Sequence, residues 1–582
     1  MHKRLLTVVT ALGLAAGCGA SDSAEKSSGG SYDGAGASSS NSRSSTPGVA
    51  YSASDASVSL GAGGKVPVVD MPAEVEQALT FDAPLAGARF VYVANASLDS
   101  VSVIDSRTLG VRTVAVGSTP GNLTTVPGND TALVINKGSK TASIVRAAAA
   151  AVKVTSVPVV AAVNRISVAP DGLHAVAWYD VNRASQGALP GSMQNVSVIT
   201  LNPAGDSSVS MSVGNKPNAV VFSNDSQAAF VVGSDGISVL RFAEIKTPGI
   251  ARLLSVPFVA PTPTEETGVE ASDGGADGGT SPVDASTAIL PVFLGDPSAV
   301  PEVSVTDDGR YAVARREGSS VLVLIDLMTA EVKTLNLGVA ITDLDMTKVN
   351  GETFAFVVLR NTSSLVRVPV PAGFAGGSTV TWQLKDAIIG SAVISNGGAR
   401  AVLYTTAVDS KRLVVLDLVG TAVPRAVQLS KNIRALAITP DGKSALVEHK
   451  KATGNPDDTT ADLNTRLDRA YGYTMVDLGT GRTVLQITPA DIGTFTVTPD
   501  SKYAFVLLRD KTLRSVQRLE LGSFLVDDIK VGSPPVSIAA LADTKKVFVS
   551  QEYSEGRISF IDWETEIVET VTGYEMNGRI QQ

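Results

Sequence analysis

One cysteine and three histidines are all that 582 residues offer toward the ligands most transition-metal sites use. His2 belongs to the N-terminal segment, so His174 and His449 are left for the body of the chain. That scarcity nearly excludes a zinc, copper or haem site built from His and Cys, and no cofactor is expected. It also excludes a disulfide framework, because Cys18 has no second cysteine to join. Long apolar runs are missing too. Beyond the N-terminal segment nothing approaches the roughly eighteen consecutive apolar residues that a spanning helix needs. Basic residues are outnumbered, 48 Lys and Arg against 57 Asp and Glu, for a net charge of −9. Such a balance speaks against nucleic acid and against adhesion to anionic lipid.

The N-terminus is informative. His2-Lys3-Arg4 is a short basic start, and residues 5–14 are an apolar run too short to span a bilayer. Ala15-Ala16-Gly17-Cys18 follows. These residues resemble the lipobox of bacterial lipoproteins, which implies a signal peptide over 1–17, cleavage before Cys18 and a diacylglycerol on its thiol. The branched residue usual three places before the cysteine is here Ala15, with Leu14 one place further out. Gly19 rather than Asp follows the cysteine, and by the same resemblance the lipoprotein goes to the outer membrane of the envelope. Each buried methylene is worth about 0.8 kcal/mol, so two or three acyl chains hold where one would not. Removing Lys3 and Arg4 leaves 46 basic against 57 acidic residues, a mature charge of −11.

Residues 18–60 read as a tether. Of the 42 positions from 19 to 60, fifteen are Ser and six are Gly, so no core can form there. A flexible chain of that length reaches about 35 Å, root mean square. Residues 61–79 read as a connector, in which 70–78 suggest a short helix with Asp70 as N-cap and Pro72 in the first turn.

From residue 80 to 582 one pattern repeats ten times: a short turn, an apolar strand, then a second strand that often ends in Asp. The third turn residues are Gly87, Asn129, Gly172, Ser226, Gly309, Gly351, Gly398, Gly442, Ser501 and Thr544. Six of their nine spacings fall between 42 and 47 residues, the length of one four-stranded propeller blade. Pro presets φ for such turns and Gly accepts positive φ, which explains Pro170-Asp171-Gly172 and Pro440-Asp441-Gly442. Tyr92-Val93-Ala94-Asn95 with Val101-Ser102-Val103-Ile104-Asp105 resembles the YVTN-type β-propeller repeat of bacterial and archaeal surface proteins. The resemblance is close in the first repeat and degenerate in the others. It implies an all-β propeller, here of about ten blades where four to eight are usual, with a single ring favoured over two. Two segments compete to supply the innermost strand of the first blade: Leu79-Thr80-Phe81, and the C-terminal Asn577-Gly578-Arg579-Ile580-Gln581.

Chemistry is sparse. His174 starts a repeat's second strand, where a solvated or core-edge role is the plain one. His449 follows Glu448 on a strand, and neighbours on a strand face opposite ways, so the two do not make a dyad. Asp273, Asp277 and the glycines between them lack any calcium-loop spacing, as does the group Asp457, Asp458, Asp462 and Asp468. Trp178, Trp382 and Trp563 suit packing between blades. Three insertions stand out, at 182–194, 260–298 and 450–472. Strands alternate in direction, so connections from second to third strands and from blade to blade emerge on one face, and all three insertions fall there. Loops gathered on one face of a repeat protein suggest its binding side. The reading is a lipid-anchored, non-enzymatic binding or scaffold module for a protein or polysaccharide partner. The alternative, implied by the propeller resemblance, is a lactonase-like or dehydrogenase-like enzyme using carboxylates at the central channel.

Overall fold

Side-chain hydrogen bonds explain why four of the repeats turn where they do. In the fifth repeat Thr306 Oγ1 donates to Asp308 Oδ1 at 2.6 Å, while the N–H of Tyr311 donates back to Thr306 Oγ1 at 2.9 Å. The same pair of bonds recurs at Thr439 and Asp441, at Thr498 and Asp500, and at Ser223 and Asp225. The residue after each Asp then takes a left-handed conformation, as at Gly309 (φ 65°), Gly442 (φ 69°) and Ser501 (φ 54°). In two repeats the left-handed residue is one place away from that expected: Gly128 rather than Asn129, and Lys545 rather than Thr544.

The Asp that ends many third strands also has a local cause. Asp477 Oδ1 accepts the N–H groups of Gly479 and Thr480, both at 2.8 Å, and its carbonyl accepts the N–H of left-handed Gly481. Asp326 and Asp562 repeat the arrangement, closing on Ala330 and Glu566. A short carboxylate that satisfies two turn donors is what this tight connection to the fourth strand requires.

The computed structural model describes residues 86–574 apart from 127, 184–192, 258–291, 297–298, 300, 385–386 and 420–422. Ten antiparallel meanders follow one another in chain order and form the blades of one propeller. Blade 3 is typical: Arg165–Val168, His174–Trp178, Asn195–Thr200 and Ser207–Ser212 pair in sequence order. First strands of neighbouring blades approach one another, as Ile492–Val497 and Pro535–Leu541 do, so they are the inner ones. Fourth strands such as Val111–Ala115 and Val332–Asn336 are the exposed outer ones.

The core lies in the seams between blades. Phe505, Leu507 and Val516 of blade 9 pack on Ile538, Val549 and Trp563 of blade 10. Trp178 of blade 3 packs with Phe222 and Leu240 of blade 4, and Trp382 lies against the seam of blades 6 and 7. Ala86, Val91 and Ile104 of blade 1 join Ala539, Phe548 and Phe560 of blade 10 in the same way, which closes the ring.

Blade 1 shows three strands among the described residues, Phe90–Asn95, Ser100–Asp105 and Val111–Ala115. Both candidates for its inner strand, 79–81 and 577–581, lie outside the described residues, as do Cys18, the signal and tether segments, the 70–78 segment and the Asp273 loop. The insertions fall where strand order put them: between the second and third strands of blades 3 and 8, and between blades 4 and 5. Long connections are not confined to that face, however. Residues 242–251 of blade 4 and 370–379 of blade 6 join third to fourth strands and so emerge opposite. The former adds Gly249–Ile250 as a parallel fifth strand on the outer edge of blade 3.

Candidate functional site

Of the three insertions, 450–472 is described in full, and it is built rather than merely tolerated. Its one helix, α1 (Leu463–Arg469), starts at Asp462, whose carboxylate accepts the N–H of Thr465 at 3.1 Å. Asp458 pairs with Arg469 at 3.1 Å, and Arg466 Nε donates to the carbonyl of Pro456 at 3.1 Å. Asp458 and Asp462 of the acidic group seen in the sequence are thus engaged in folding the insertion upon itself.

The base of α1 rests on blades 7 and 8. Lys431, just before the inner strand Ile433–Ile438, is fully buried and donates its Nζ to the carbonyls of Leu467 and Asp468, the latter at 3.0 Å. These last-turn carbonyls also accept the N–H groups of Ala470 and Ala452, at 3.1 and 2.8 Å, and the ammonium takes up their second lone pairs where a cation suits the helix dipole. Burial pushes the Lys431 ammonium down to about 8, with Asp468 acting in the opposite sense. Lys411 pairs with the Asp468 carboxylate at 2.8 Å, and Lys450 with Asp409 at 3.2 Å.

His449 lies beneath this layer and is buried. Its Nδ1 lies 3.2 Å from the carbonyl of Asn432 and its Nε2 lies 2.7 Å from Thr474 Oγ1. A carbonyl only accepts, so Nδ1 carries the proton and Nε2 accepts from the threonine. Burial pushes the imidazole down to about 4, so it is neutral near pH 7. With both nitrogens bonded to protein it holds the base of the insertion and has no proton to exchange with a substrate. Glu448 turns away, to Arg434, as strand alternation requires.

Arg434 occupies a β-bulge in the inner strand of blade 8, between Ile433 and Ala435. The extra residue lets its guanidinium reach both Glu448 of its own blade and Asp491 of blade 9, the latter at 3.0 Å. Similar pairs stand at the same end of other blades, Arg165 with Asp180 at 2.8 Å and Arg315 with Glu302 at 2.5 Å. Asp180, Glu302, Glu448 and Asp491 at this end are therefore paired with arginine, while Asp343 of blade 6 accepts the backbone N–H of Ala392. Among the described residues no group of three or more His, Cys, Asp or Glu is placed to hold a metal ion. On the opposite face, clefts of about 420 and 570 Å³ open between blades 7 and 8 and between blades 4 and 5. They are lined by Arg400, Asp417 and Lys443 in one case and by Arg241, Arg310 and Asp308 in the other.

His174, the other sequence candidate, stacks on Phe242 at 4.1 Å on that opposite face and belongs to no constellation with His449. Lys431, Lys411 and Arg434 went unnoticed in the sequence. A single lysine before an apolar strand carries no signal until the insertion folds back over it.

No family model and no curated protein matches the chain. Among solved structures it is similar to apo AztD from Citrobacter koseri, at 12% identity over 83% of this chain and 94% of that one, with a TM-score of 0.35. It is also similar to the dihydro-heme d1 dehydrogenase NirN in complex with DHE, at 12% identity over 65% and 71%, with a TM-score of 0.38. A Kuenenia stuttgartiensis hydrazine synthase aligns at 16% identity over 50% and 81%, with a TM-score of 0.28. At these similarities none of them says what this chain binds or does.

Proposed function

We propose that this chain is a lipid-anchored β-propeller of the bacterial envelope that binds a protein or polysaccharide partner through the face bearing the 450–472 insertion. The observation that carries the reading is the preformed state of that insertion. Lys431, Lys411 and the intra-loop pairs fix α1 on the ring before any partner arrives. A platform ordered in advance loses little entropy on binding, which is what a recognition surface needs. Leu463 stands 67% exposed on α1, beside exposed Asp462 and Asn464, and offers an apolar contact within a polar rim. The lipobox-like Ala15-Ala16-Gly17-Cys18 and the serine-rich tether support the placement at a membrane, with the ring held clear of the headgroups.

Two measurements test this. Labelled palmitate should enter the wild-type protein and not Cys18→Ser. A photo-crosslinking residue at Leu463, introduced in cells, should capture a discrete partner that the same residue at exposed Thr565, on the opposite face, does not. Crosslinks from Thr565 alone would put the binding side opposite, and turnover of a lactone or a redox dye by the purified protein would replace the reading with an enzymatic one.

A further inference from the structure

Blade 4 departs from the repeat at one charged position. In blades 1, 5, 7, 8 and 10 the first residue of the second strand pairs across the blade with Asp105, Asp326, Asp417, Asp477 and Asp562. In blade 4 the residue opposite Ala228 is Arg241. The charge is reversed, and the tight turn that Asp closes in blades 5, 8 and 10 gives way to the connection 242–251. Blade 2 also carries an arginine there, Arg146, but it is bidentate to Asp206 at 2.6 and 2.7 Å. Arg241 has no such carboxylate. Its Nη2 is directed at the thioether of Met328, a weak acceptor. Arg252 reaches the same residue and donates to its carbonyl at 2.9 Å. Two guanidinium groups without a carboxylate thus converge on one neutral residue.

Arg241 lines the cleft of about 570 Å³ between blades 4 and 5, together with the buried Ala228 and Phe230. Asp225, Glu244 and Asp308 line it too. Asp225 Oδ1 accepts from Ser223 and Gln227, and Asp308 Oδ1 accepts from Thr306 and Arg310, so each spends one oxygen on its turn. Among the described residues their Oδ2 atoms take no hydrogen bond, and Arg241 and all three carboxylates are outside any ion pair. Arg310, the other arginine of the cleft, is taken by Asp326 at 3.5 Å. The cleft between blades 7 and 8 is the contrast. There Arg400 pairs with Asp417 at 2.7 Å and Lys443 with Asp441 at 3.6 Å, so its charges answer one another.

We propose that the cleft between blades 4 and 5 binds a small zwitterion, an amino acid or short peptide. Its carboxylate lies on Arg241 and its ammonium on Glu244 and the free oxygens of Asp225 and Asp308. Opposite charges that share a cleft without pairing are joined by a molecule that carries both signs. A guanidinium fork matches a carboxylate in two parallel bonds, and Phe230 and Met328 offer the apolar contact between the two ends. The volume falls within the range of about 300–1,000 Å³ usual for small-molecule sites. The cleft opens on the face opposite the 450–472 insertion, so the proposal stands or falls apart from the partner reading above.

Titration calorimetry of the purified full chain tests it, with triglycine, acetyl-triglycine and triglycine amide as probes. The second lacks the ammonium and the third lacks the carboxylate. Triglycine should bind saturably and each blocked form about tenfold more weakly, the value of one charge-assisted hydrogen bond. Arg241→Gln should erase the advantage of triglycine over its amide, and Glu244→Gln should narrow its advantage over the acetylated form. Both side chains reach solvent, so both variants should melt with the wild type. Glycine binding as tightly as triglycine would assign the site to free amino acids, and weaker binding to peptides. No binding by triglycine, equal binding of all three peptides, or binding unchanged by Arg241→Gln overturns the proposal.

Discussion

At the scale of single residues, the two buried basic groups His449 and Lys431 make the same demand on pH in different windows. His449 is held well below its ordinary value of 6.5, at about 4, by burial. Between those values the unfolded chain takes up a proton that the folded chain refuses, so this contribution to stability is complete above 6.5 and is lost as pH falls toward 4. His449→Gln should remove that component. The gap between wild type and variant in urea midpoint should shrink from pH 7 to pH 4.5, and a constant gap would count against a buried neutral imidazole. Lys431, lowered from 10.5 to about 8, behaves in the same direction in a higher window. Its folded form releases a proton before the unfolded form does, so stability rises as pH climbs from about 8 to 10.5. Relative to Lys431→Met, the wild type should gain stability over that range. Neither residue is distinguished in the sequence from a surface His or Lys, because what sets them apart is an insertion folding over them.

At the scale of elements, α1 and the turns show how much local chemistry is written in short patterns. Asp462 caps α1, and Asp462→Ala should cost about 1 kcal/mol of helix stability. The loss should appear as faster amide exchange over 463–469 with an unchanged global midpoint, since α1 lies outside the blades. Insertion and ring are less separable than their loop position suggests. Shortening 450–472 would strip Lys431 of its carbonyl partners, so a deletion that tests binding should also carry Lys431→Met. A deletion without it should unfold at lower urea than the paired variant. The turn signals, by contrast, needed no tertiary help. Thr-Pro-Asp-Gly and the third-strand Asp act through bonds to neighbours a few residues away, which is why they mark the repeats in the sequence itself.

At the scale of the whole molecule, stability rests on seams between blades, and the seam of blades 10 and 1 is the one that makes a row of repeats into a ring. Phe560 is fully buried in it, and Phe560→Ala should cost roughly 3–5 kcal/mol. Because the ring shares its seams, that loss should appear as one earlier unfolding transition by circular dichroism rather than as release of a single blade.

The sequence by itself determined the class of fold, the number of blades and the face on which each connection emerges. All three follow from spacing and from strand alternation, which are properties of neighbours along the chain. It also made a dyad of His449 and Glu448 untenable, through the same alternation. What only the tertiary structure decided is which side chains meet between neighbouring blades and loops: Lys431 with the end of α1, Arg434 with carboxylates of two blades, and His174 with Phe242 on the far face. Those partners are separated by as many as 68 residues, and their meeting depends on how seams and loops pack. No period in the sequence encodes that packing.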